Sequence, residues 1–360
     1  MDSIIQQFAI KGEAAEIKPL KIGHINDSFI VENNDAKGDS YFLQKINHHI
    51  FRDVEGLQRN IQLVTDHLRE KLLQAKETDI DRKVLRLVPT KNNKLFYKDE
   101  AGDYWRMYIN IHGTKSYDIV NEELSQKAGK AFGNFQLLLS DISHDELIET
   151  IPDFHNMEFR LRQFREAVDN NAAGRVESCR KLIEEIELRA EEMCLPQRLF
   201  REGKLVKRIN HCDTKVNNLL FNETDEPICI VDLDTVMPGF VLSDFGDFMR
   251  SAANNGKEDD TELANVWFRM DIFKAYTIGY LSLAKGFLTP LETEMLPFGA
   301  KLITYMQLVR FLGDYINGDT YYKTEYPEHN LQRSKSQFTL LQDIERKHSQ
   351  MELFIAELAK

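Results

Sequence analysis

The pattern of hydrophobic and polar residues changes its period along the chain. Between Ile17 and Ile46 the segments IKPLKI, SFIVEN and YFLQKIN are typical of β-strands separated by turns. Asp53 to Lys76 instead carries apolar residues at helical spacing, and VLRLVPT, KLFYKD and YWRMYINI then return to the strand pattern. Strands, one long helix and more strands predict a small sheet-rich lobe that ends near Asn110.

Beyond residues 111–114 the helical period dominates. The predicted helices are Glu122 to Ser140, Glu158 to Asn170, Cys179 to Met193, Asp260 to Lys285, Leu291 to Tyr315 and Leu331 to Leu358. Short strands are predicted at Leu219–Phe221 and Ile228–Val231. The pattern therefore predicts an α+β, bilobal fold. Residues 1–110 form a small β-rich N-terminal lobe, residues 108–113 a hinge, and residues 114–360 a large, mainly helical C-terminal lobe.

Composition narrows the class of protein. A hydrophobic fraction of 42% and a charged fraction of 29% are ordinary for a globular chain of 360 residues. The net charge of -12 argues against general binding to nucleic acid or anionic membranes, although a local basic pocket is compatible with it. The N-terminal segment lacks a signal-peptide pattern, and no window has the apolar length of a transmembrane helix. Four cysteines without zinc spacing lead us to expect a reduced, cytoplasmic enzyme whose oligomeric state is open.

The stretch from Ile209 to Val236 contains several polar residues that could take part in catalysis or metal binding. These residues are His211, Asp213, Lys215, Asn218, Asp232 and Asp234. Phosphoryl transfer from a nucleotide requires a carboxylate for the acceptor hydroxyl, a positive charge near the γ-phosphate and oxygen ligands for Mg²⁺. An H-x-D sequence alone is weak evidence, but its combination with the later residues indicates a phosphotransferase. His211 is more typical of a structural residue that holds its loop by hydrogen bonds.

Several stretches resemble the group of aminoglycoside phosphotransferases and choline kinases, which are relatives of protein kinases. These stretches are GHIN at 23–26, HCDTKVNN at 211–218, VDLDTVMPG at 231–239, DFGD at 244–247 and YPEHN at 326–330. Within this group, the similarity to the N-acetylhexosamine 1-kinases extends over nearly the whole chain. The resemblance implies a protein-kinase-like fold and a Mg²⁺-dependent transfer of the γ-phosphate of ATP to a small-molecule sugar. The acceptor would be the anomeric hydroxyl of N-acetylglucosamine or N-acetylgalactosamine.

The resemblance also implies roles for individual residues. Asp213 would be the catalytic base in contact with the acceptor, Lys215 would offset charge on the transferring group, and Asn218 and Asp232 would bind Mg²⁺. Asp234 would help to coordinate the metal or orient the loop.

Asp244-Phe245-Gly246 spells the metal-binding triplet of protein kinases, but Asp232 directly follows a predicted strand and is the better metal ligand. Asp244 and Arg250 then become candidates for contact with the sugar. The alternative interpretation is a helix-capping aspartate and a surface arginine.

The predicted N-terminal lobe offers candidates for nucleotide binding. His24 and Asn26 lie in a turn between the first two strands, where they could reach phosphates or the sugar, although the turn lacks the glycine-rich patterns of protein kinases and P-loop proteins. The hinge would present backbone groups to adenine. Its candidate residues are Tyr108, Ile109 and Ile111.

The third strand departs from the usual kinase pattern. Kinases carry a basic residue there for the α- and β-phosphates, and the corresponding position in YFLQKIN is Gln44. Lys45 follows on the opposite face of the strand. The residue that holds the α-phosphate is therefore open between Gln44, Lys45 and another residue.

A late helix supplies further candidates for the acceptor site, of which Arg310 and Tyr315 are the principal ones. Aromatic rings and charged groups suit a sugar, but at helical spacing they could equally be core and surface.

Alternative functions are a kinase of the same fold for another sugar, choline, ethanolamine or homoserine, and, more remotely, a sulfatase through Cys194, Pro196 and Arg198 in C-x-P-x-R. A scaffold without activity is disfavoured because the base, the lysine and both metal ligands are present. A protein kinase is disfavoured because the glycine-rich loop and the A-P-E segment are missing.

Overall fold

The computed structural model describes residues 1–20, 25–35 and 38–359, so the predicted role of His24 lies outside the described residues. The chain divides into two compact units. The first consists of Met1–Lys115, Asp145–Pro152 and Leu219–Met237, and the second of Ser116–His144, Asp153–Asn218 and Pro238–Lys360. The first unit thus includes two segments from beyond the N-terminal lobe predicted at residues 1–110.

A five-stranded antiparallel sheet forms the centre of the first unit. Its strands are β1 (Ala14–Leu20), β2 (Asp27–Asn33), β3 (Tyr41–Ile46), β4 (Tyr97–Lys98) and β5 (Tyr104–Ile109), in the order β1-β2-β3-β5-β4. The register places Gln44 of β3 between Ser28 of β2 and Arg106 of β5. Val31, Leu43 and Met107 are fully buried and form part of the apolar core of this unit.

Helices accompany this sheet in the first unit. They are α1 (Asp2–Ile5), α2 (Val54–Gln74) and α3 (Ile80–Lys83). The long helix α2 begins where the side chain of Asp53 accepts the N–H of Gly56 at 2.8 Å. The remaining strands of the chain are β6 (Arg208–Asn210), β7 (Leu219–Phe221), β8 (Pro227–Ile230) and β9 (Met237–Gly239). Strands β7 and β8 form an antiparallel hairpin within the first unit.

The second unit is mainly helical. Its helices are α4 (Glu122–Leu138), α5 (Met157–Asn170), α6 (Arg180–Met193), α7 (Leu195–Arg201), α8 (Val241–Ala252), α9 (Met270–Ala284), α10 (Pro290–Glu294), α11 (Leu296–Ile316) and α12 (His329–Ala359). Gly246 of α8 lies directly against the backbone of Gly299 in α11, where a Cβ atom would collide. The glycine of the DFG triplet therefore allows two helices to approach closely. Within the described residues, none of the helices combines the length and apolar character needed to cross a membrane.

The α+β class and most predicted elements are confirmed, and the differences have physical reasons. Residues 84–90 were predicted as a strand, but they make only isolated bridges at Leu87 and Thr90. Helix α8 was not predicted, although its polar residues Ser243, Asp244, Asp247 and Arg250 recur at helical spacing; that polar side is buried instead of facing solvent. The predicted helix from Leu291 is divided into α10 and α11, since Pro297 lies at the start of a new helix.

Candidate active site

The predicted catalytic loop lies in the second unit and is organised around Asp213. The side chain of Asp213 is 25% exposed, and its Oδ1 lies 3.0 Å from the Nζ of Lys215. Asn218 donates its side-chain amide to the carboxylate of Asp213 at 3.1 Å and to its backbone carbonyl at 2.9 Å. Cys212 has a φ of 62°, a left-handed conformation that turns the chain sharply before Asp213.

Electrostatics keep Asp213 ionised. Burial alone would raise its pKa, but the charge and hydrogen bond of Lys215, with the charge of Arg250, hold the pKa below its usual value of 3.8. The carboxylate of Asp213 is in turn the main cause of a raised pKa for Lys215. The loop therefore presents a carboxylate and an ammonium group in direct contact at neutral pH.

Asp244 lies beneath this loop and holds it in place. Its carboxylate accepts the N–H groups of His211 at 2.9 Å and Cys212 at 2.7 Å and the side-chain amide of Gln136 at 2.8 Å. The hydroxyl of Thr214 donates to its carbonyl. Burial raises the pKa of Asp244 to about 6 despite these donors. Asp244 is only 2% exposed and its oxygens are engaged, so in this structure it supports the loop, and its contact with a sugar stays a prediction.

His211 is completely buried, with its ring about 6 Å from the rings of Phe132 and Phe135. Its Nδ1 accepts the N–H of Asp213 at 3.3 Å. This contact joins the histidine to the loop that carries Asp213.

Arg250 is buried rather than at the surface. Its guanidinium donates to Asp247 at 3.0 and 3.2 Å and to Glu258 at 2.7 Å. The second carboxylate oxygen of Asp247 is buried and has no hydrogen-bond partner among the described residues, and burial raises the pKa of this group. The charges of Asp247 and Glu258 also raise the pKa of Lys215. The loop is thus bordered by a charged cluster in which Arg250 is already paired.

Arg310 occupies an aromatic cluster in the second unit. Its guanidinium lies 5.2 Å from the ring centre of Phe154, 5.7 Å from Tyr321 and 5.5 Å from Tyr322. The carboxylate of Asp314 accepts the N–H groups of both tyrosines, at 2.8 and 3.0 Å, and so fixes the segment that carries them. A half-buried guanidinium surrounded by rings is suited to hydroxyl groups on a sugar ring.

Tyr315 is packed within the second unit at the end of α11. It is buried, the guanidinium of Arg175 lies 4.6 Å from its ring centre, and its hydroxyl is 3.3 Å from that of Ser178. These contacts give Tyr315 a structural role, and its contact with a substrate stays a prediction.

His155 was missed by the sequence reasoning. Its ring stacks on Phe154 with the centres 4.5 Å apart, and its Nδ1 is buried with no partner among the described residues. Burial, together with the charges of Arg310 and Arg160, lowers the pKa of His155 to about 3. A lone histidine in an irregular segment gives no sequence signal, because its neighbours come from distant elements.

The first unit holds the other predicted metal ligand, Asp232, which has a left-handed backbone with φ 60° and ψ 54°. One turn of 3₁₀ helix, Leu233–Thr235, follows it. Asp234 in that turn is buried and forms an ion pair with Arg106, and it accepts the side-chain amide of Asn26 at 2.7 Å. The side-chain amide of Asn26, predicted to reach the nucleotide phosphates, is thus engaged by Asp234.

Gln44 and Lys45 point to opposite sides of β3. The amide oxygen of Gln44 accepts two bonds from Arg106, at 2.7 and 3.0 Å, and its amide group donates to Ser28 at 3.0 Å. Lys45 is paired with Asp103 at 2.6 Å on the other face. The sequence did not identify Arg106, because only the pairing of β3 with β5 places it beside Gln44.

Several groups of the predicted hinge already have partners within the protein. Tyr108 is buried, with the guanidinium of Arg106 at 5.3 Å from its ring centre, and the N–H of Ile109 donates to Arg86 at 2.9 Å. The carbonyl of Ile111 accepts the hydroxyl of Thr114 at 3.0 Å.

The C-x-P-x-R run lies where α6 ends and α7 begins, with Pro196 buried at the start of α7. Burial raises the pKa of Cys194, as expected of a structural cysteine.

The oxygen atoms of Asn218 and Asp232 fit the preference of Mg²⁺ for hard ligands. Because the amide nitrogen of Asn218 is held by Asp213, the amide oxygen has a fixed direction, and it accepts no hydrogen bond from any described residue. The donor set at Asn218 is therefore compatible with a metal.

Comparisons with known proteins agree with this chemistry. Residues 16–282 match the model of the APH family, described as a phosphotransferase enzyme family. The chain is similar to the aminoglycoside phosphotransferase of Alicyclobacillus acidocaldarius, with 11% identity, a TM-score of 0.62 and coverage of 97% of this chain and 96% of that one. It is also similar to the spectinomycin phosphotransferase APH(9)-Ia solved with ADP and spectinomycin (13% identity, TM-score 0.60, 97% of both chains). A third similar structure is a microcompartment-associated aminopropanol kinase (15% identity, TM-score 0.57, 98% of both). These likenesses confirm the predicted protein-kinase-like fold.

Proposed function

We propose that this chain, which belongs to the phosphotransferase enzyme family, is a Mg²⁺-dependent sugar kinase. It transfers the γ-phosphate of ATP to the anomeric hydroxyl of an N-acetylhexosamine and releases ADP and the sugar 1-phosphate.

The observation that carries this proposal is the contact of Asp213 with both Lys215 and Asn218. Asp213 is ionised and only partly exposed, so it can accept a hydrogen bond from the acceptor hydroxyl and orient its oxygen for attack. A carboxylate with a lowered pKa is a weak base, so orientation contributes more than early proton removal, as expected for phosphoryl transfer. Lys215 places a positive charge beside this carboxylate and offsets charge on the transferring group.

Asn218 and Asp232 are the proposed ligands of the metal. A bound Mg²⁺ would neutralise negative charge on the nucleotide phosphates. Asp213 contributes to this site by holding the amide nitrogen of Asn218, which leaves the amide oxygen as the ligand atom. ATP as the donor is supported by the ADP bound in the similar spectinomycin phosphotransferase.

Two observations support an N-acetylhexosamine as the acceptor. The stretches at 211–218, 231–239 and 326–330 resemble the N-acetylhexosamine 1-kinases. Arg310 lies in the same unit as Asp213 and is surrounded by Phe154, Tyr321 and Tyr322, which could pack on the apolar face of a sugar ring.

The test is a panel of acceptors with ATP and Mg²⁺, scored by release of ADP. The panel contains N-acetylglucosamine, N-acetylgalactosamine, glucose, galactose, choline, ethanolamine and homoserine, and NMR of the product locates the phosphate. We expect turnover with an N-acetylhexosamine and a phosphate on C1. Asp213→Asn should abolish turnover while it retains ADP binding, because its shape is kept and its charge is lost. Turnover of choline or homoserine alone would overturn the acceptor, and appreciable activity of Asp213→Asn would overturn the catalytic assignment.

A further inference from the structure

Arg106 is one of the most completely buried charged residues of the chain, with 1% of its surface exposed. It lies on β5 directly opposite Gln44 of β3. Its Nε and Nη2 atoms donate to the amide oxygen of Gln44 at 3.0 and 2.7 Å, and Ser28 fixes the orientation of that amide at 3.0 Å. Two neighbouring strands therefore hold the guanidinium in one position.

The remaining nitrogen of Arg106, Nη1, forms an ion pair with Asp234. Asp234 also accepts the amide of Asn26 at 2.7 Å, and Asn26 in turn accepts the N–H of Asn47 at 2.9 Å. Burying an ion pair is costly unless further hydrogen bonds satisfy both partners, and here Gln44 and Asn26 supply them. Burial alone would lower the pKa of Arg106, but the charges of Asp234 and Asp232 more than offset this and raise it.

Asp234 is linked by a single residue to Asp232, whose left-handed backbone has a φ of 60°. The segment is held at its other end as well, because the side chain of Asn60 in α2 donates to the carbonyl of Val236 at 3.1 Å. A left-handed backbone costs some free energy at a residue other than glycine, and the contacts of Asp234 and Val236 hold it in place here. Asp234 is the point at which the sheet fixes this segment.

We propose that Arg106 is a positioning residue. Kinases carry a basic residue on their third strand, and here Arg106, on the neighbouring strand β5, supplies that positive charge. It is the buried cation that anchors Asp234 and thereby sets the direction of Asp232 towards the metal and the nucleotide phosphates. Gln44, at the position of the usual lysine, orients Arg106 and does not bind phosphate. The inference rests on the proposed function, because Asp232 is a metal ligand only in that proposal.

The test moves the positive charge from position 106 to the paired position 44. Gln44 and Arg106 are cross-strand neighbours, whose Cβ atoms are typically about 5 Å apart, so a lysine at position 44 can approach Asp234. Arg106→Gln, Arg106→Lys and the double variant Gln44→Lys/Arg106→Gln are compared with the wild type. Lys18→Gln is the matched control, since it removes an exposed strand cation that pairs with Glu16 and Glu32 on β1 and β2. Calorimetry measures the Kd for ADP with Mg²⁺ and with EDTA, and thermal unfolding is followed in parallel.

We expect Arg106→Gln to weaken binding of Mg²⁺·ADP about a hundredfold, with a much smaller loss for ADP in EDTA. Arg106→Lys keeps the charge without the paired bonds to Gln44 and should lose about tenfold. The double variant should recover most of the Mg²⁺-dependent affinity, and Lys18→Gln should retain all of it.

A double variant that folds stably without recovering this affinity overturns the inference, as does an Arg106→Lys variant with unchanged affinity. If the wild type itself binds ADP equally with Mg²⁺ and with EDTA, the metal site of the proposed function fails instead.

Discussion

Asn218 donates its side-chain amide to Asp213 at two places, the carboxylate at 3.1 Å and the backbone carbonyl at 2.9 Å. The two contacts fix both the carboxylate proposed as the catalytic base and the face of Asn218 that carries its amide oxygen. The proposed catalytic and metal-binding roles in the second unit therefore both depend on the Asn218 side chain.

Removal of this side chain should disturb both functions together. A hydrogen bond to a charged group contributes about 1.5–3 kcal/mol, so Asn218→Ala should lower kcat by about ten- to a hundredfold and raise the Mg²⁺ concentration needed for half-maximal rate. Asn217→Ala is the matched control, because Asn217 is exposed. Steady-state kinetics across a Mg²⁺ titration measure both effects. An Asn218→Ala enzyme with a normal metal requirement would contradict the proposed ligand.

Lys215 should set the acid limit of activity. It holds the pKa of Asp213 below the usual value of 3.8, whereas burial acts in the opposite direction. In Lys215→Ala burial is no longer offset by the lysine, so the pKa of Asp213 rises. The carboxylate is then protonated at higher pH, and the acid limb of kcat moves upward by about one pH unit or more. Profiles of kcat against pH for the wild type, Lys215→Ala and the exposed control Lys335→Ala measure the shift. A lower kcat without movement of the acid limb would exclude this coupling.

The Asp244→Asn variant tests whether Asp244 supports the loop or contacts the sugar. Three N–H donors, from His211, Cys212 and Gln136, converge on the carboxylate, and asparagine offers them only one oxygen. Each buried donor left unsatisfied costs about 1–3 kcal/mol, so the melting temperature should fall by several degrees and kcat should fall with it. The ratio of kcat/KM between two acceptors should stay unchanged. A changed acceptor preference at an unchanged melting temperature would instead restore the predicted sugar contact. Asp118→Asn, at an exposed position, is the control.

The contacts of Asp213 with Lys215 and Asn218 could be predicted from the sequence because the three residues lie at fixed short spacing on one loop. The same holds for the strands β1 to β3, whose period and turns are local. The support that Asp244 gives to this loop could not be predicted, since its partners lie 30 or more positions away and only the packing of α8 brings it beneath the loop.

In the first unit, the contacts of Arg106 could not be predicted from the sequence for a similar reason. Its alignment with Gln44 is a matter of strand register, which follows from tertiary pairing and not from the sequence of β5 alone. The missing lysine of β3 was visible in the sequence, but the residue that compensates for it was not.

His155 should make the protein sensitive to acid. Burial and the charges of Arg310 and Arg160 lower its pKa from 6.5 to about 3 in the folded state. Between these two values the unfolded chain binds a proton that the folded chain does not, so the free energy of unfolding falls as the pH decreases through this window. At pH 5 the loss is about 2 kcal/mol, and above pH 6.5 there is none. His155→Phe keeps the stacking on Phe154 without a titrating group, so its stability should fall less between pH 7 and pH 5. Urea unfolding at several pH values measures the difference, with the exposed His49→Gln as control. If His155→Phe and the wild type lose the same free energy over this range, His155 is protonated in the folded state, and its ring is open to solvent rather than held neutral beside Arg310.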